Sequence, residues 1–217
     1  MSDYGFMLGK NGRLVCLGAS ITEAPTGYVS IVQNLISAGY PERNVTVINA
    51  GIGGNKAPDM LARLQSDVIE KKPTVVTINV GINDVWHGLD GSGNGTPLDV
   101  YTRCLMQMVA TLRESTDAEI VLLPPTVIGE DVDNPDNKGN FLREKYVAAM
   151  KQVGEEENVL CAATHEDFVN AIRAGVSTNP EFRLTTDGVH PNSVGAHVFA
   201  LSVLAALGFA GLGDSSG

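Results

Sequence analysis

The sequence predicts an α/β protein whose parallel sheet is covered by helices on both faces. Short apolar runs alternate along the chain with longer segments of helical periodicity, which is typical of parallel β-α-β units. The short runs are apolar almost throughout, as expected of strands buried on both faces. Five strands are predicted, at residues 14–17, 45–48, 74–80, 119–123 and 159–161. Because the 217 residues contain no repeat or linker, we expect one domain, with its core at about 13–208 and a frayed tail at 211–217.

Turn and capping residues bound the helices between these strands. Gly39 ends a helix predicted at about 27–38. Pro58 lies in the first turn of the next helix, where a missing N–H is tolerated, and Pro73 ends that helix. Thr96 is predicted to cap the following helix, which runs to about residue 114. The remaining helices are predicted at about 141–157, 165–174 and 192–207, and two polar loops at 88–95 and 129–140.

Charge and hydropathy exclude several classes of function. The net charge is −10 and no basic run occurs, so we expect no binding to nucleic acid or to an anionic membrane surface. No apolar stretch reaches the roughly 20 residues needed to cross a bilayer. The N-terminal segment has no basic stretch followed by an apolar run, so we expect no signal peptide and favour a cytoplasmic location.

The sequence contains no recognisable metal or nucleotide motif. The three cysteines, Cys16, Cys104 and Cys161, form no C-x-x-C pair and fall in apolar runs, so we predict reduced, buried thiols and no zinc site. The glycine-rich segment at 51–56 fits neither of the common phosphate-binding glycine patterns. We therefore expect no cofactor and no metal.

Polar residues follow several of the predicted strands. Ser20 follows the first strand at the turn Gly18-Ala19-Ser20, where a serine hydroxyl would be free to act as a nucleophile, although serine is also a common helix cap. In a parallel α/β sheet, function lies at the carboxyl ends of the strands. Three further segments fall at or beside that edge: 51–55, 81–84 and 187–191.

These segments supply the groups needed for acyl transfer. Ser20 can attack a carbonyl carbon, and His190 can take its proton as general base and pass it to the leaving alcohol. Asp187 lies three residues before His190, an offset that lets its carboxylate reach the imidazole and fix the tautomer. His87 has no acidic partner at such an offset, so we prefer His190 as the base.

An oxyanion requires fixed hydrogen-bond donors at the same edge. The candidates are the N–H of Ser20, the N–H of Gly54 and the side-chain amide of Asn83. Glycine leaves its N–H unshielded, and asparagine donates without titrating. Such donors are worth about 3 kcal/mol each in the transition state.

These motifs resemble those of the SGNH hydrolases, also called the GDSL esterase and lipase family, over nearly the whole chain. The matching segments are 18–21, 49–54, 81–84 and 187–191, in the family's order. The resemblance implies a flavodoxin-like three-layer α/β/α sandwich around a five-stranded parallel sheet. It also implies a triad of Ser20, Asp187 and His190, with oxyanion donors from Ser20, Gly54 and Asn83. Ala19 stands where the family usually has aspartate, and we expect altered packing of the turn rather than inactivity.

The predicted activity is hydrolysis of small, short-chain esters through a covalent acyl-serine. Trp86 either walls the substrate pocket or anchors the 88–95 loop, and Val85 and Val189 are further candidate pocket residues. No helical lid with a large apolar face is evident, which argues against a lipase. Three alternatives remain open: a carbohydrate acetyl esterase, an acyltransferase with the same triad, and an ester- or carbohydrate-binding module with little turnover.

Overall fold

The computed structural model describes residues 5–89 and 91–211, and its strands form the predicted sheet. All neighbouring strands pair in parallel, in the spatial order β2-β1-β3-β4-β5. The strands are β1 (Arg13–Gly18), β2 (Thr46–Gly51), β3 (Val75–Asn79), β4 (Glu119–Leu123) and β5 (Leu160–Cys161). Every residue of the central strand β3 is buried, as its continuous apolar run predicts, whereas the edge strand β2 is partly exposed.

Helices cover both faces of the sheet and make it a three-layer sandwich. In the described ranges the helices are α1 (Ser20–Glu23), α2 (Tyr28–Gly39), α3 (Ala57–Ala62), α4 (Leu64–Asp67), α5 (Ile82–Trp86), α6 (Leu98–Ser115), α7 (Lys138–Glu156), α8 (Thr164–Thr178) and α9 (Ser193–Ala206). Two short 3₁₀ turns lie at Pro41–Arg43 and Ile69–Lys71. Helices α2, α8 and α9 pack together, and so do α3, α6 and α7. The parallel arrangement brings the carboxyl ends of β1, β2 and β3 to one edge of the sheet.

The helix expected between Pro58 and Pro73 is broken into two helices and a 3₁₀ turn. The break falls at Arg63, whose backbone leaves helical geometry (φ −106°, ψ 7°). Its guanidinium donates hydrogen bonds to the carbonyl of Gly18 at 2.9 Å and to Oδ1 of Asn55 at 2.7 Å. The apolar stripe could not reveal this break, which coincides with a contact from Arg63 to the end of a distant strand.

Thr96 was expected to cap helix α6, but this prediction is wrong. The helix begins two residues later, at Leu98, and Thr96 is buried. Its N–H donates to the carbonyl of Asp84 at 2.9 Å, and its own carbonyl accepts the hydroxyl of Tyr146 at 2.5 Å. The residue therefore closes the 88–95 loop onto α5.

Of the predicted tail at 211–217, residues 212–217 lie outside the described residues.

The thiols of Cys16, Cys104 and Cys161 are free, and the first two are buried. Burial raises the pKa of Cys16 to about 12 and that of Cys161 to about 11, so neither provides a reactive thiolate.

None of the helices in the described ranges combines the length and apolar character needed to span a membrane.

Candidate active site

Ser20 sits at a tight turn directly after strand β1. A Cβ atom at Gly18 would lie 1.9 Å from Oγ1 of Thr22, so the close approach of α1 requires glycine there. The carbonyl of Ala19 accepts the N–H groups of Thr22 at 3.1 Å and Glu23 at 2.8 Å. These backbone contacts hold the turn without a polar side chain at position 19.

A continuous chain of hydrogen bonds joins Ser20, His190 and Asp187. The hydroxyl of Ser20 lies 2.8 Å from Nε2 of His190, and Nδ1 of the same ring lies 2.7 Å from Oδ2 of Asp187. With the proton on Nδ1, the ring donates to Asp187 and leaves Nε2 free to accept the serine proton. This arrangement can activate a serine as a nucleophile.

Asp187 is held as a carboxylate by the loop that carries it. Partial burial raises its pKa, but the backbone N–H of His190, the ring of His190 and the N–H of Val189 all donate to it and together lower the pKa below its usual range. The lowered pKa keeps Asp187 negatively charged, as an acceptor for the imidazole must be.

Three possible oxyanion donors follow the ends of strands β1, β2 and β3. Gly54 has φ +77°, a conformation that favours glycine, and a Cβ there would meet open space. Within the described part of the chain, the N–H groups of Ser20 and Gly54 have no acceptor. The amide nitrogen of Asn83 donates one hydrogen to the carbonyl of Asn55 at 3.0 Å, which orients the side chain and leaves its second N–H available.

Two charged side chains brace these donor loops, and sequence reasoning missed both. Arg63 links the carbonyl of Gly18 to the side chain of Asn55, so it ties the serine turn to the second loop. Glu23 accepts the N–H of Gly53 at 3.0 Å. Neither residue belongs to a local motif, and only the fold brings them together.

Asp84, the neighbour of Asn83, anchors the short helix α5. Its Oδ1 accepts the N–H of Ala57 at 3.0 Å, which joins α5 to the start of α3. Burial raises the pKa of Asp84, and the hydrogen bond from Ala57 opposes that rise. The carboxyl group thus serves the scaffold that holds Asn83 in place.

The structure places the three predicted pocket residues differently. Trp86 is 37% exposed, and its ring lies edge-on to that of His190, with centroids 5.9 Å apart. Val85 and Val189 are only 4% and 3% exposed and pack in the hydrophobic core. Neither valine lines the two cavities that border Ser20, so their part in a substrate pocket stays a prediction.

Among the described residues, His190 is the histidine that hydrogen-bonds to Ser20, and the others have different partners. His87 packs against Trp86, with ring centroids 6.0 Å apart. His165 is buried against Arg143 and the carbonyl of Thr126, and burial lowers its pKa, as does the neighbouring guanidinium. The described residues contain no cluster of His, Cys, Asp and Glu side chains able to hold a metal ion.

Comparison with known proteins identifies a family model and several esterases that are similar to this chain. The model of the GDSL-like Lipase/Acylhydrolase family matches residues 16–198. An acetylxylan esterase from Geobacillus stearothermophilus is 32% identical over 93% of this chain and 96% of that protein. An arylesterase from Vibrio mimicus is 26% identical over 82% of this chain and 80% of that protein.

Solved structures resemble the fold closely. A crystal structure of the acetylxylan esterase from Geobacillus stearothermophilus has a TM-score of 0.83 at 30% identity, covering 94% of this chain and 97% of that one. A crystal structure of an alpha/beta hydrolase enzyme from the metagenome of Lake Arreo has a TM-score of 0.84 at 27% identity, covering 94% of this chain and 99% of that one.

Proposed function

Because this chain belongs to the GDSL-like lipase/acylhydrolase family and is an ester-cleaving hydrolase, we propose that it removes acetyl groups from small carbohydrates, with Ser20 as its nucleophile. The observation that carries the proposal is the hydrogen-bonded chain from the Ser20 hydroxyl through His190 to Asp187. The alternative of an ester- or carbohydrate-binding module with little turnover has no support from the comparisons, since the relatives are named as esterases.

In the acylation step, Ser20 attacks the ester carbonyl while Nε2 of His190 accepts its proton. The negative charge that forms on the carbonyl oxygen is stabilised by the N–H groups of Ser20 and Gly54 and by the amide of Asn83. The imidazolium, stabilised by Asp187, then gives its proton to the leaving alcohol as the C–O bond breaks. The product is an acyl-serine.

Deacylation repeats these steps with water as the nucleophile. His190 accepts a proton from water as the water oxygen attacks the acyl carbon. The same oxyanion donors stabilise the negative charge on the carbonyl oxygen. The proton then returns from His190 to the oxygen of Ser20 as the acyl-enzyme bond breaks. A carboxylic acid leaves and the hydroxyl of Ser20 is restored.

The space beside Ser20 favours a short acyl group. Ser20 lines two cavities, one of about 40 Å³ that His190 also lines and one of about 10 Å³ that Asn83 also lines. Cavities of this size suit a small acyl group such as acetyl, and a long acyl chain would have to extend beyond them. The acetylxylan esterase relative supports an acetylated carbohydrate as the substrate class.

An acyl-length series tests this proposal. We expect kcat/KM for 4-nitrophenyl acetate to exceed that for the butyrate by at least about tenfold, since an extra methylene that does not fit costs that much or more. The octanoate should be slower still, and acetylated xylo-oligosaccharides should release acetate. The Ser20→Ala variant provides the blank for each substrate. A maximum at octanoate, or no acetate from the oligosaccharide, would contradict the proposal.

Trp86 provides a test for the carbohydrate part of the proposal. Its exposed ring lies beside His190, where the leaving alcohol must pass, and sugar rings pack well on such a surface. We expect Trp86→Ala to lower kcat/KM for an acetylated xylo-oligosaccharide by about five- to tenfold. Hydrolysis of methyl acetate, whose alcohol is too small to stack, should stay within about twofold.

Trp86→Phe is the matched variant for this experiment, because it keeps an aromatic face at the same position. It should retain most of the activity on the oligosaccharide. Acetate release from both esters is measured by titrating the acid formed. If Trp86→Ala slows both esters equally, the ring supports His190 rather than the sugar.

A further inference from the structure

The loop that carries both His190 and Asp187 lies outside every helix and strand. It runs from the end of α8 to the start of α9, and its backbone makes an isolated bridge between Thr185 and Pro191. Two backbone hydrogen bonds accompany this bridge, from Thr186 to the carbonyl of His190 at 2.9 Å and from Asn192 to the carbonyl of Leu184 at 2.8 Å, and contacts with other segments position the rest of the loop. The contacts that hold this loop therefore decide where the imidazole lies relative to Ser20.

Glu130 makes the densest set of such contacts. Its carboxylate accepts the N–H of Leu184 at 3.0 Å and the N–H of Thr185 at 2.7 Å. It also accepts the hydroxyl of Thr185, and that hydroxyl oxygen in turn accepts the N–H of Gly188 at 3.1 Å. One carboxylate thus reaches, directly or through one hydroxyl, both sides of Asp187.

The segment that carries Glu130 is itself firmly held. The N–H of Gly129 donates to the carbonyl of Gly188 at 2.7 Å. This is a second direct link to the loop between α8 and α9 (residues 179–192), called the base loop below. Behind it, the buried side chain of Asn140 accepts the N–H of Ile128 at 2.9 Å and donates to the carbonyl of Gly129 at 2.9 Å. Because Asn140 belongs to α7, Glu130 connects the base loop to a segment that is fixed on this helix.

We propose that Glu130 is a positioning residue that sets the location of His190 and Asp187 relative to Ser20. This inference rests on the proposed function, in which His190 is the general base. Glu130 touches neither the nucleophile nor the imidazole, so it acts through the backbone of residues 184–188. Its carboxylate satisfies two backbone N–H groups and one hydroxyl that would otherwise lack an acceptor.

Removal of the carboxylate should move the base rather than weaken substrate binding. A displacement of about 1 Å in a reacting group can cost about a hundredfold in rate. We therefore expect Glu130→Ala to lower kcat for 4-nitrophenyl acetate by about 10- to 100-fold, with KM within about twofold of the parent. Glu130→Gln keeps one acceptor oxygen for Thr185 and should recover kcat to within about threefold.

Asp133→Asn is the matched control in the same loop. Asp133 is exposed and pairs with Arg173 on α8, away from residues 184–190, so its replacement should leave kcat unchanged. Should the Glu130→Ala chain fail to fold, Thr185→Val takes its place, since it removes only the hydroxyl link. This variant should lower kcat by about five- to tenfold.

A double-mutant cycle separates positioning from a general loss of structure. In the His190→Ala background there is no base to position, so Glu130→Ala or its substitute Thr185→Val should change the residual rate by less than about twofold. The same fold loss in both backgrounds, or an unchanged kcat in Glu130→Ala, would overturn the inference. If Ser20→Ala keeps its turnover, the proposed function itself fails. If Ser20→Ala is inactive and Glu130→Ala is normal, only the role of Glu130 fails.

Discussion

Ser20→Ala is expected to lower kcat for 4-nitrophenyl acetate by about 10⁶-fold, because the change removes the atom that forms the acyl-enzyme. The hydroxyl of Ser20 lies 2.8 Å from Nε2 of His190, the proposed general base. Release of 4-nitrophenolate gives the rate. Mass spectrometry after treatment with an organophosphonate should show one added phosphonyl group on the parent protein and none on the variant.

Ser37→Ala is the matched control for this variant. Ser37 is exposed on α2, where its hydroxyl accepts a hydrogen bond from the side chain of Gln33 at 2.8 Å, so both the rate and the labelling should remain those of the parent. Turnover by Ser20→Ala at more than a thousandth of the parent rate would rule out Ser20 as the nucleophile, since the oxyanion donors alone leave far less.

Asp187→Asn is expected to lower kcat by about 10⁴-fold while the loop keeps its shape. The lowered pKa of Asp187 means that a charged carboxylate faces the imidazole under all neutral and alkaline assay conditions. An amide has the same size but presents a donor to Nδ1, so it favours the tautomer whose Nε2 carries the proton and cannot accept one from Ser20.

The measurement is kcat between about pH 7 and pH 9, a range that lies well above the usual pKa of aspartate. The loss should persist across this range, because raising the pH cannot restore the missing charge. Asp99→Asn is the control: Asp99 is an exposed residue of α6 that pairs with Arg103, and its replacement should leave kcat unchanged. A loss of less than tenfold in Asp187→Asn would mean that another group orients His190.

The parts of the site that could be predicted are those set by topology and short spacing. Ser20 follows strand β1, and in a parallel sheet the carboxyl ends of all strands lie at one edge. The pattern therefore predicts that Ser20 lies near the loops after β2 and β3. Asp187 and His190 are three residues apart, so their contact needs no long-range information. These features depend on periodicity and offset, which the sequence displays directly.

The parts that could not be predicted depend on side-chain direction and on distant partners. Val85 follows Asn83 and Asp84, but helix α5 was not expected there, and its geometry turns Val85 into the core. Arg63 and Glu130 contact residues 45 and 54 positions away, and no local pattern marks a residue for such a role. The break at Arg63 and the support of the base loop therefore required the three-dimensional structure.

The distance along the chain between nucleophile and base has a consequence for biosynthesis. Ser20 and His190 are 170 residues apart, and the base loop is followed directly by α9, which packs on α2. On the proposed mechanism, a growing polypeptide therefore carries the nucleophile and its oxyanion donors for most of translation before the base is synthesised. On the proposed mechanism, hydrolysis therefore requires that synthesis has passed His190 and that the loop carrying it has reached Ser20.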